Sequence, residues 1–298
     1  MGSSDATTET EYAHLIGDPG GLRDVATCLY FDGIRQDVTL DTLLDVAGDW
    51  YERHAHRPKV LIAKTAGEFP RLPRPTIRTL RDKASGQKAC DVLETLQVFP
   101  RGRSTIDDTW RPIIYFAASM KRPTSLFLSV NATMAPGDVV EGLQQTASLL
   151  GSDAAYAFRF PRILSPLAYF WGIVVEPAGR DSPCWQKQKS RRLSHWRDNT
   201  SIGIEGDGGR RWYSAGDGYV RDAYPVMLLS PAQLGRQVGS ASLQDEILRR
   251  KLGALSKTAA GYLWSIPGGK LMEAQDLLDE SRISLSACRL ETPRQPAD

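Results

Sequence analysis

Residues 180–197 gather six cations, Arg180, Lys187, Lys189, Arg191, Arg192 and Arg197, against one acid, Asp181, a local charge of +5. Trp185 and Trp196 stand among them, and His195 adds a titratable ring. Cations hold phosphates and indole rings stack on bases, so this interleaving suits nucleic acid or an acidic protein face. It equally suits a solvated amphipathic segment whose tryptophans pack inward. Directly afterwards, Glu205, Asp207, Asp217 and Asp222 alternate with glycines and with Trp212, Tyr213 and Tyr219. Acids and aromatics carried on a loop can make a protein-binding surface, the rings giving a desolvated centre and the carboxylates the charge around it. The candidate binding residues are therefore Trp196, Arg197, Glu205, Asp207, Tyr213, Asp217, Tyr219 and Asp222. The competing expectation is an ordinary loop with buried aromatic rings.

Catalytic patterns are mostly excluded. His54 and His56 are two apart and fall on different faces of a helix, whereas a helical zinc site uses a pair four apart. His14 and His195 are isolated, and there is no HExxH. Gly269-Lys270 imitates the end of a phosphate-binding loop. However, Trp264 stands where the first glycine belongs, and Leu271 where the magnesium-binding hydroxyl belongs. No GxSxG is present, so there is no nucleophile elbow of that type. No Asp or Glu has a Lys two positions on, which argues against nucleases of the restriction-enzyme type. Asp107-Asp108 and Asp245-Glu246 are adjacent pairs that read as helix caps or helix surface. The expectation is a protein with no catalytic residue, no metal and no cofactor. Two alternatives stay open: an enzyme built from distant carboxylates and His195, and a nucleic-acid-binding module using 180–197.

The elements that must carry these residues follow from periodicity. Ala26–Phe31 reads as a strand, and Thr39–Ala55 as a helix capped by Thr39 with a stripe of Leu40, Leu43, Leu44, Ala47, Trp50 and Tyr51. Val60–Ala63 reads as a buried strand. A second unit of similar order follows. Ile113–Ala118 and Leu126–Val130 read as strands around a turn at Met120–Pro123, then come a helix from Pro136 to a stop at Gly151 and a strand Ala155–Phe160. Glu68–Pro75, with three prolines, cannot be regular. Strands at Ile173–Val175, Tyr224–Leu229 and Tyr262–Ile266 are expected, with helices at Ser242–Leu252 and Pro267–Asp279. The fold class is α+β: a mixed, largely antiparallel sheet flanked by helices, with two related strand–helix–strand halves. Residues 1–21 form a loose tail and 22–290 a single body, with 161–172 the place where it would divide.

The 298 residues carry 37 Lys and Arg against 35 Asp and Glu, a net charge of +2, too even to signal a polyphosphate partner. At 41% hydrophobic and 24% charged the chain can bury a core. The N-terminus lacks a basic and apolar leader, no apolar run spans a bilayer, and four scattered cysteines read as free thiols. A cytoplasmic protein that engages no membrane is expected.

Within residues 218–280, Tyr224-Pro225 precedes an apolar strand ending in Leu228-Leu229-Ser230. Gln233-Leu234, Ser242-Leu243 and an aromatic strand near Trp264 follow. This run resembles bacterial immunity proteins of polymorphic-toxin and type VI secretion systems, and more specifically the Immunity protein 52 family. The resemblance implies a cytoplasmic antidote that binds a cognate toxin, such as a nuclease of restriction-endonuclease-like fold, and that needs no direct contact with nucleic acid. It brings no catalytic residue with it.

Overall fold

The alternating apolar residues of the strands build one broad sheet, described by a computed structural model for residues 25–54, 60–67, 69–70, 75–99, 114–119, 122–130, 134–161 and 218–284. The expected tail at 1–21, the dividing region after Pro161 and the strand at 173–175 lie outside the described residues. Nine strands share the sheet: β1 (Val25–Asp32), β2 (Val60–Thr65), β3 (Leu93–Phe99), β4 (Ile114–Ser119), β5 (Arg122–Val130), β6 (Ala154–Pro161), β7 (Val226–Leu229), β10 (Ala254–Thr258) and β11 (Gly261–Ser265). Their order is β10-β11-β7-β6-β1-β5-β4-β3-β2, and every neighbouring pair is antiparallel. The protein is thus α+β with a large antiparallel sheet. A two-stranded ribbon, β8 (Gln237–Val238) with β9 (Ala241–Ser242), stands apart.

Two helices cross over the sheet. α1 (Leu40–Arg53) links β1 to β2, which run parallel with three strands between them. The later helix α4 (Pro136–Leu150) links β5 to β6, which run parallel with only β1 between them. The second crossover starts on a strand of opposite sense and travels the opposite way. A half-turn about the sheet normal therefore maps it onto the first, and two crossovers of one hand must lie on one face. They do: Leu43, Leu44 and Ala47 of α1 share a core with Leu143 and Ala147 of α4 and with Leu29 and Phe31 of β1. The two halves share hand and face but differ in reach, spanning three strands and one.

Local chemistry sets the ends of both helices. The Thr39 hydroxyl accepts the Thr42 amide at 3.2 Å and caps α1. Gly151 closes α4 at φ 56°, a conformation that costs other residues strain. Trp50 Nε1 donates to the Ser129 carbonyl at 3.3 Å and the Tyr51 hydroxyl to the Val98 carbonyl at 2.6 Å, so the inward stripe is also bonded to the sheet. Short helices α2 (Ile77–Ala84) and α3 (Ala89–Val92) complete this layer. The strand at Val60, expected to be buried, is instead the edge of the sheet, with Ile62 42% exposed.

The opposite face is covered by the C-terminal elements α5 (Pro231–Leu234), α6 (Leu243–Arg249) and α7 (Leu271–Glu280), the last entered through a 3-10 turn at Gly268–Lys270. Leu243, Ile247, Leu271, Ala274 and Leu278 pack there against Met227, Leu229 and Trp264.

Candidate functional site

Strand parity puts Cys28, Tyr30 and Asp32 on the face opposite α1 and α4. Register then aligns Tyr30 with Tyr156 of β6, and Cys28 with Phe158. The Tyr30 and Tyr156 rings stack with centroids 5.8 Å apart and planes 17° from parallel. Onto this ladder folds a short arm, Gly218–Pro225, which leads into β7. Its Tyr224 lies 4.9 Å from Phe158 and 5.3 Å from Tyr156, centroid to centroid. Val220, Arg221, Ala223 and Tyr224 are all buried, because the arm's apolar residues face the aromatic ladder and carry their polar neighbours inward.

Arg221, 1% exposed, holds its guanidinium 5.0 Å from the centre of the Tyr30 ring, a cation–π contact strengthened by exclusion of water. Its backbone N–H donates to the Tyr156 hydroxyl at 3.3 Å. The Ala223 N–H donates to Gln275 Oε1 at 2.8 Å and the Val220 N–H to the Ile283 carbonyl at 3.1 Å, tying the arm to α7 and the chain after it. At the start of the arm Arg236 lies 4.3 Å over the Tyr219 ring, and Gln233 Nε2 donates to the Tyr219 carbonyl at 2.7 Å.

Asp32 closes β1 beneath this arrangement, 7% exposed, accepting the Gly33 N–H at 3.1 Å. Burial raises its carboxyl to about 6. The Gly33 amide, the Arg221 charge and the Tyr30 hydroxyl pull it down, while Asp153 pushes it up. Burial likewise drives Cys28, Tyr30 and Tyr156 well above their ordinary values, so all three stay protonated. A protonated, enclosed thiol is no nucleophile. The cluster is one permanent cation, two phenols and a carboxyl that titrates near neutrality. Shut from solvent, these groups hold elements together. Among the described residues no three of His, Cys, Asp and Glu converge as a metal-ligand set.

Of the expected binding residues, Trp196, Arg197, Glu205, Asp207, Tyr213 and Asp217 lie outside the described residues, as do His195 and the basic segment 180–197. Tyr219 is half-buried beneath Arg236. Asp222, expected as a surface acid, is 5% exposed, drawn inward with the apolar arm on either side of it. Asp245 is part of the helix cap, as the pairing suggested, whereas Glu246, expected on the helix surface, is buried at 6% exposed. Asp245 Oδ2 accepts the Ser242 N–H, and Glu246 bonds Arg249 and Arg250. His54 packs edge-on to Trp50 at 4.5 Å. The Tyr30–Asp32–Tyr156–Arg221 cluster is absent from the sequence expectations. Parity in VATCLYFD does put Tyr30 and Asp32 on one face, but Arg221 meets Tyr156 across 65 residues of chain, and no local spacing encodes that.

No known protein family and no curated protein matches this sequence. Among solved structures the chain is similar to Pseudomonas aeruginosa T6SS protein PA0821, at 16% identity and a TM-score of 0.47, over 90% of this chain and 77% of that one. No helix among the described residues is long and apolar enough to cross a membrane.

Proposed function

We propose that the chain is an immunity protein: it binds a cognate secreted toxin, of which a nuclease effector of a type VI secretion system is the leading candidate, and blocks its active site or its activation in the cytoplasm. One observation carries this reading. The residues through which 218–280 resembles the Immunity protein 52 family are those that hold the C-terminal unit together. Tyr224 packs on Phe158. Ser230 and Gln233 form the capping box of α5, and Ser242 and Asp245 that of α6. Trp264, fully buried, donates from Nε1 to the Leu252 carbonyl at 2.9 Å. The resemblance is therefore one of packing. A near-neutral chain suits a mixed interface, in which a desolvated centre contributes more than bulk charge.

The test is co-expression with candidate toxins drawn from the neighbouring genes. The expected result is a stoichiometric complex with nanomolar affinity, about −12 kcal/mol, and restored growth of cells making the toxin. Absence of both a complex at micromolar concentration and any protection would refute the reading.

A further inference from the structure

We draw no further inference here: the strongest candidate, the exposed patch that Asp45, Asp49 and Glu52 of α1 form with Asp138 and Glu141 of α4, bridged between the two helices by Arg53 and Gln145, is an acidic cluster beside which nothing among the described residues points to a ligand.

Discussion

Gly33 and Gly67 both sit at positive φ, 64° and 50°, yet they differ in what surrounds them. A Cβ at Gly67 meets open space, whereas one at Gly33 falls 2.8 Å from Cβ of Asp153, an atom that cannot swing aside without moving the turn. Both alanine variants carry the same left-handed penalty, about 1 kcal/mol. Gly33→Ala adds a clash and pushes Asp153 toward the buried end of β1. The expected outcome, measured by urea unfolding, is a loss of about 1 kcal/mol for Gly67→Ala and at least about twice that for Gly33→Ala. Equal losses would mean that Asp153 is not held against Gly33. Trp264 gives a second contrast at this scale. Trp264→Phe keeps most of the buried ring but leaves the Leu252 carbonyl without its donor. A cost of about 1–3 kcal/mol, seen as an earlier urea midpoint with unchanged slope, is expected.

At the scale of elements, caps are the features that sequence and structure share most closely. Ser242 stands before an apolar stripe and Asp245 three residues on, and the Ser242 hydroxyl accepts the Asp245 amide at 3.2 Å. Ser242→Ala should cost about 1 kcal/mol. Asp245→Ala removes the reciprocal half of the same box, so the double variant should cost clearly less than the two single losses added together. Full additivity in urea melts would show that the two halves act independently. Where caps, prolines or stop glycines punctuate the chain, as at Thr39, Pro136, Gly151 and Ser242, the elements were legible to within a few residues. β3 lacks such punctuation. The short helix α3 ends at Val92 and the strand begins at Leu93 with no turn residue between them. The alternation of Leu96 and Val98 with Thr95 and Gln97 was present but had no boundary to frame it. β10 fails for the opposite reason: its edge residues Ser256 and Lys257 face solvent, so no apolar run announces it. The buried cluster depends on the arm meeting β1 and β6 through space, and only half of it, Tyr30 and Asp32, was readable locally.

Over the whole molecule, the proposed reading expects a protein partner rather than nucleic acid. The +5 of residues 180–197 sits in a chain of net +2, so its field is opposed within the same molecule. Phosphate contacts of that number lose affinity steeply with salt. Fluorescence anisotropy at physiological salt should therefore find no submicromolar binding to duplex or single strands, and such binding would shift the function to nucleic acid. The partner surface is then the remaining whole-molecule question. Asp222 is buried, and Tyr219 is half-buried with Arg236 over its ring. The other acids of the glycine-rich stretch named above are Glu205, Asp207 and Asp217. A nuclease that grips a polyanion has a basic cleft, and these three carboxylates complement it in charge. Replacing all three with alanine should leave the melting temperature unchanged. It should also weaken toxin binding at least about tenfold, mostly through slower association at low salt. The salt dependence separates this from damage to the fold, because wild-type affinity should fall toward that of the variant as ionic strength rises. A folded triple variant that binds as tightly as wild type at every salt concentration, and still protects cells, would place the toxin on another surface.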